Sequence, residues 1–171
     1  MEEYYINPII GEYDNPSNQE QGILTLDLTN VGNTAIYGMT GSGKENLLTT
    51  IIYNSCIEHS PNEINFYILD FGAETLKIFS KYPHVGGVAT IDDKDMVINL
   101  FSMIFDELTR RKNLFSDYGG TYLDYIKSSG EKMPLITIVI NGYDVMGENF
   151  PRVQENIFSL IREGNKYGIV F

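Results

Sequence analysis

The chain of 171 residues carries a formal net charge of −11 and a pI near 4.5, a balance that argues against a nucleic-acid-binding surface, which needs a basic stripe. Hydrophobic residues at 43% and charged residues at 20% exclude a wholly disordered chain and fit one domain with a sizeable core. A single cysteine, Cys56, excludes an internal disulfide and suits a reducing compartment, and no apolar run approaches the roughly 18 residues of a membrane-spanning helix.

Residues 1 to 22 combine Tyr4, Tyr5 and Ile6 with a polar stretch from Gly11 to Gly22 that is rich in turn formers, and read as an entry segment with a loop. Ile23 to Leu28 alternates in the manner of a strand, which predicts a hairpin edge strand ahead of the next element. Residues 34 to 52 then read as a short apolar strand, a glycine-rich turn and an amphipathic helix. In the turn, Gly38-Met39-Thr40-Gly41-Ser42-Gly43-Lys44 matches the first seven positions of a phosphate-binding loop, whose backbone N–H groups and helix N-terminus surround a polyphosphate. Gly38, Gly41 and Gly43 let the chain wrap an anion without Cβ clashes, and Lys44 reaches the phosphates as a point charge. The nucleotide-binding set expected on this basis is Gly38, Thr40, Gly41, Ser42, Gly43, Lys44, Glu45 and Asn46, with ATP and Mg²⁺ as the ligands, the metal weakly held or conditional.

The eighth position of that loop calls for a hydroxyl that ligates Mg²⁺, and the residue here is Glu45. A carboxylate in the first helical turn favours the helix dipole by roughly 0.3–1 kcal/mol. Beside nucleotide phosphates the sign reverses: like charges about 4 Å apart repel by up to roughly 4 kcal/mol at an effective dielectric near 20. A metal bridging the two would relieve this, since carboxylates are Mg²⁺ ligands. The expectation is a phosphate-loop geometry that binds nucleotide poorly or hydrolyses it slowly.

Leu47, Leu48, Ile51, Ile52 and Cys56 continue one helical face, ending near His59 and before Pro61. Cys56 reads as a packing residue, His59 as a helix-end surface residue, and His84, between Pro83 and Gly86-Gly87, as a loop residue. Ile64 to Asp70 is a buried-type strand ending on a carboxylate. Because ligand crevices lie outside the carboxyl ends of open parallel sheets, Asp70 is a candidate for the active-site edge; ending the strand and starting a turn is the alternative. A short helix over Thr75 to Ser80 and a small strand from Val88 to Thr90 follow. Asp92 or Asp93 then caps a long helix over Lys94 to Phe115, with Val97, Leu100, Phe101, Ile104, Leu108 and Phe115 on one face. Arg110 and Arg111, with Lys112, suit the dipole at its end, or offer an arginine to a neighbouring subunit's nucleotide.

A second helix spans Thr121 to Ser128, and Pro134 to Ile140 is the most apolar strand. Phosphate-loop ATPases end this strand in acids that hold the Mg²⁺ shell and polarise water. Here it ends Asn141-Gly142-Tyr143-Asp144. Asn141 can accept a hydrogen bond from a metal-bound water but lacks the charge; Gly142 supplies no base; Asp144 substitutes only if the turn brings it back, and otherwise forms the turn. Pro151 to Glu163 is a last helix with Val153, Ile157, Leu160 and Ile161 inward and Gly164 at its C-terminal cap. Gly168 to Phe171 begins a strand after which a phosphate-loop sheet expects another, so a sheet incomplete at the C-terminus is expected.

Taken together, the loop at 38–44, Leu69-Asp70-Phe71-Gly72 with Glu74-Thr-Leu76, the Pro83-His-Val-Gly-Gly87 turn, the helix end Arg110-Arg-Lys-Asn-Leu-Phe115 and the strand into Asn141-Gly-Tyr143 resemble FtsK/SpoIIIE-type motor domains. The resemblance is strongest to the second of the tandem ATPase domains in the EssC/EccC motors of type VII secretion, and it runs from about Pro8 to Phe171. It implies an α/β fold with a RecA-like P-loop NTPase core, a mostly parallel sheet with helices on both faces and an N-terminal β-hairpin edge. The division is residues 1–33 as N-terminal segment and edge strand and 34–171 as the ATPase domain. It also implies a cytoplasmic domain of a membrane-anchored parent, other ATPase domains of the same chain as partners, assembly in a hexameric ring, and small WXG-type secreted substrates. A docking scaffold that binds no nucleotide and a DNA translocase module are the alternatives, the latter opposed by the charge.

Overall fold

The computed structural model describes residues 5–171, so residues 1–4 of the expected entry segment lie outside the described residues. Strands β1 (Ile9–Asn15) and β2 (Glu20–Thr25) pair antiparallel as a sheet of their own. They are followed by helix α1 (Lys44–Glu58), β3 (Ile64–Asp70), β4 (Val85–Ala89), α2 (Lys94–Phe115), α3 (Tyr122–Ser129), β5 (Leu135–Asn141), α4 (Tyr143–Asn149), α5 (Pro151–Gly164) and β6 (Ile169–Val170). The second sheet is parallel throughout, in the order β4-β3-β5-β6.

The expected hairpin is present, but its strands extend through most of the stretch read as loop. Turn formers decide only residues 16–19. Tyr13 lies opposite Gly22 with its ring over the glycine, where a Cβ would come within 2.7 Å, and its hydroxyl donates to Glu20 Oε1 at 3.0 Å. A cross-strand aromatic thus supplies the packing that the polar sequence hides.

Alternation along β5 explains why helices cover both faces of the parallel sheet. Leu135 and Val139 join Ile64, Phe66 and Ile68 of β3 in a core under α1 and α3, with Ile51, Ile52, Tyr122 and Tyr125. Ile136 and Ile138 join Val97, Phe101, Ile104 and Leu108 of α2 and Ile157 and Leu160 of α5 on the other side. The long helix has the expected bounds, and its buried positions follow i, i+4, i+7 spacing.

Four local expectations are corrected. Residues 34–37 form no ladder strand: Thr34 N–H donates to Phe171 O at 2.8 Å and Phe171 N–H to Asn33 Oδ1 at 2.9 Å, which aligns the segment with the carboxyl end of β6 but gives only one backbone bond. Asp93 is the residue preceding α2, yet its Oδ2 accepts from Thr90 N–H and Oγ1 instead of the helix. The stretch after Asn141 is a helix, α4, anchored by buried Met146. Gly164 is right-handed and sits inside the last turn of α5, where a Cβ would lie 2.8 Å from Ile169 O; it is there for close packing, and the left-handed residue is Gly168 at φ 71°.

Candidate functional site

Gly41 and Gly43 adopt φ values of +77° and +88°, and a Cβ on Gly38 would stand 2.3 Å from Ser42 Oγ, so the three glycines are each required by the wrap of the loop. Gly43 precedes α1, whose first turn receives no side-chain cap. Its amides and the positive end of its dipole are therefore available to an anion. Lys44 Nζ donates to Gly38 O at 2.6 Å and Met39 O at 2.9 Å, and Ser42 N–H to Met39 O at 3.1 Å. The ammonium thus ties the two ends of the loop together and lies within it. Thr40, Gly41, Ser42 and Asn46 are exposed, Glu45 partly so.

One contact fixes the loop at the ligand edge of the sheet. His84, which directly precedes β4, hydrogen bonds through Nε2 to His59 O at 2.7 Å, holding the C-terminal end of α1 at the amino edge of the sheet. The opposite end of α1, with Lys44, accordingly points to the carboxyl edge. His84 is 6% exposed, so the loop histidine expected from sequence is a buried strut.

At that carboxyl edge Asp70 and Asn141 are direct partners, ending β3 and β5 in register. Asn141 Nδ2 donates to Asp70 Oδ1 at 2.9 Å, and Leu76 N–H donates to Asp70 Oδ2 at 2.8 Å. Asp70 is 0% exposed and Asn141 6%. The two readings of Asp70 merge, since it stands at the edge and also fastens the turn after β3. Sequence reasoning named both residues but not their pairing; the signal was the equal distance of each from the start of its apolar strand. Gly142 has φ +87°, and a Cβ there would lie 3.3 Å from the Phe71 backbone, so an acid next to Asn141 is disfavoured by backbone shape as well as by sequence. Asp144 is exposed in the first turn of α4, whereas the Asp70–Asn141 pair is buried.

The arginines are at the other edge. Arg111 is 1% exposed; its Nη1 donates to Tyr167 O and Gly168 O, each at 2.9 Å, its Nη2 to Pro134 O at 2.8 Å and its Nε to Glu107 Oε1 at 2.7 Å. Those carbonyls precede β5 and β6. The inter-subunit expectation for Arg111 is corrected on this ground: its donors are used internally, at the amino edge. Arg110 is half exposed and chelates Glu107 at 2.7 and 2.8 Å. Burial would raise the Glu107 carboxyl, but the hydrogen bonds from Arg110 and Arg111 hold it below its ordinary value.

The donor set fits a polyphosphate. The loop offers amides and an ammonium, whereas no cluster of three or more His, Cys, Asp or Glu able to hold a metal occurs among the described residues. No helix among them is long and apolar enough to cross a membrane.

Comparison with known proteins agrees with this geometry. The type VII secretion system protein EssC of Staphylococcus aureus (strain Mu50 / ATCC 700699) is 33% identical over 158 residues, 91% of this chain and 11% of the relative; the chain thus spans about a tenth of the length of the curated relatives it matches. The solved structure of Thermomonospora curvata EccC (ATPases 2 and 3) in complex with a signal sequence peptide superposes with a TM-score of 0.88 at 28% identity, covering 96% of this chain and 31% of that one. The cytoplasmic domain of EssC gives 0.87 at 25% identity, covering 96% and 32%. The likeness extends to a pair of ATPase domains without distinguishing between them. Residues 9–162 match the FtsK/SpoIIIE family, and with a phosphate loop at the carboxyl edge of a parallel sheet the chain belongs to that family.

Proposed function

We propose that this chain is a degenerate ATP-binding module of a type VII protein secretion motor, corresponding to the second of its tandem ATPase domains, with weak or absent hydrolysis in isolation. The observation that carries the reading is the contrast within one site. The phosphate loop keeps its glycine geometry and Lys44, whereas Glu45 replaces the metal-ligating hydroxyl and the β5 end offers Asn141 and Gly142. Binding then persists through amides and ammonium, while the groups that organise the metal and the attacking water are lacking.

On this reading the module acts on the cytoplasmic side of a membrane-anchored parent, packs against other ATPase domains of the same chain, and works in a hexameric ring whose cargo is small WXG-type secreted proteins. The likeness to EccC solved with a signal sequence peptide supports that cargo class. The net charge of −11 weighs against a DNA translocase. Glu45 in the loop favours, as a second reading, a docking scaffold that binds no nucleotide.

Calorimetry and steady-state turnover with ATP, for the chain and for Lys44→Ala, test the proposal. The expected result is Lys44-dependent binding with negligible turnover. Lys44-dependent turnover on the order of 1 s⁻¹, within the usual enzyme range, overturns the degenerate reading, and absence of Lys44-dependent binding leaves the scaffold.

A further inference from the structure

Asn141 has an amide of two unlike halves, and the structure settles which half goes where. Its Nδ2 is committed to Asp70 Oδ1 at 2.9 Å, while the other oxygen of Asp70 is held by Leu76 N–H at 2.8 Å. The carboxylate is wholly buried and lies directly across the β3–β5 ladder from Asn141. Phe71 N–H donates to Asn141 O at 2.9 Å, and a Cβ on Gly72 would stand 2.7 Å from Asn141 Nδ2, so backbone and side chain are clamped on the same spot.

From this we infer that Asp70, buried at the end of β3, acts as a positioning residue that fixes the amide of Asn141, so that neither strand end offers a free carboxylate to the crevice. An ionised Asp70 and a carboxylate at position 141 would be two like charges at hydrogen-bond distance, which is unfavourable without a proton or cation between them. An amide at 141 removes the conflict and satisfies Asp70. The cost is functional. The Asp70 carboxylate is spent on two internal hydrogen bonds and shielded from the crevice, and the residue on β5 is neutral. Nucleotide binding at this site is therefore independent of divalent metal. This inference rests on the nucleotide-binding reading above, and its structural half stands apart from it.

The polarity of the pair can be reversed without changing its shape. In D70N/N141D the amide introduced at position 70 donates to the carboxylate introduced at 141, and its carbonyl still receives Leu76 N–H. The four proteins, unmodified, D70N, N141D and D70N/N141D, are compared by thermal unfolding and by ATP calorimetry in Mg²⁺ or EDTA. N141D is expected to lower Tm by roughly 5 °C or more, with the double variant returning to within about 2 °C of the unmodified chain. The unmodified chain binds ATP equally in Mg²⁺ and EDTA, within about threefold, and the double variant binds at least about tenfold tighter with Mg²⁺, the effect of one charge-assisted contact. A double variant no more stable than N141D, or ATP binding by the unmodified chain that already needs Mg²⁺, overturns the inference. If none of the four binds ATP, the nucleotide-binding reading falls, and the unfolding data alone decide the pairing.

Discussion

Arg111 Nη1 donates to the carbonyl oxygen of Gly168 at 2.9 Å, joining residues 57 apart in the chain. With the bond to Pro134 O, one guanidinium fastens the end of α2 to the starts of β5 and β6, and Glu107 supplies its counter-charge. Gly168 is left-handed and a Cβ there would lie 2.9 Å from Arg111 Nη1, so the glycine admits the guanidinium as well as closing the turn.

Arg111→Ala is expected to lower unfolding free energy by about 3–5 kcal/mol, because it strips the guanidinium from Tyr167 O and Pro134 O, leaves Gly168 O with only its bond from Ile136 N–H, and leaves Glu107 without its buried partner. Arg111→Lys should lose somewhat less, since it keeps a positive charge for Glu107 although an ammonium cannot serve a forked set of acceptors. Arg110→Ala, which breaks only a half-exposed pair, should stay within about 1 kcal/mol. Urea unfolding monitored by circular dichroism checks all three; an Arg111→Ala loss as small as that of Arg110→Ala removes the structural assignment.

These arginines show where sequence reading stops. Periodicity was enough to place α2 to the residue and to give both strand ends at Asp70 and Asn141, because long apolar stripes and buried runs have no competing reading. The same spacing puts position 111 on the apolar stripe, but it could not tell that an arginine there is 1% exposed, because a buried cation is decided by carbonyls from strands that are distant in sequence. The full extent of the β1 and β2 strands, beyond the hairpin that was expected, and α4 were hidden for a related reason. Tyr13 over Gly22, and Met146 with the Phe71–Phe150 ring stack at 5.4 Å, are tertiary contacts that override weak local propensity. The phosphate loop was legible because its glycines are demanded by the backbone itself.

Lys44 has a structural task in the free protein in addition to any phosphate contact, since it bridges Gly38 O and Met39 O. Lys44→Ala should therefore abolish ATP binding and also raise amide hydrogen exchange across residues 39–43, with global stability changed by no more than about 1.5 kcal/mol, the scale of exposed hydrogen bonds. Exchange in the loop that does not change would show that the bridge contributes no order.

Glu45→Thr removes a carboxylate from the phosphate-facing turn and restores a hydroxyl. ATP affinity should rise by at least about tenfold, a fraction of the roughly 4 kcal/mol maximum repulsion of like charges near 4 Å. Turnover should not follow, because Asn141 stays neutral and a side chain at Gly142 meets the Phe71 backbone. Measured affinity equal to that of the unmodified chain would show that Glu45 is turned away from bound phosphate.

Glu63 makes acid stability measurable at one residue. Burial alone would raise its carboxyl, but Lys132 at 2.7 Å and the N–H and hydroxyl of Ser60 at 2.8 and 2.9 Å bring it from 4.5 to about 2. The folded value lies below the unfolded one, so the unfolded chain binds the proton more readily. The contribution is fully present above pH 4.5 and is lost as pH falls from there towards 2. Glu63→Gln should be less stable at neutral pH and should flatten the slope of stability against pH in that window. Parallel slopes for the two proteins would remove Glu63 from the acid transition.

Cys56 is the remaining reactive side chain, and its surroundings make it inert. It lies on the inward face of α1, packed against the core shared with Ile51 and Ile52, and burial pushes its thiol up to about 11. The thiolate is the species that reacts with disulfide reagents, so at pH 8 a thiol at that value labels on the order of a hundredfold more slowly than a free cysteine. Because α1 carries the phosphate loop at its other end, labelling also reports on that helix. Occupation of the loop by ATP should slow it further if it proceeds through opening of α1, since a ligand that binds only the closed form lowers the open population. Denaturant should release full reactivity. Labelling of the native chain at the rate of a free thiol would place Cys56 in solvent and contradict the packing of α1 on the sheet.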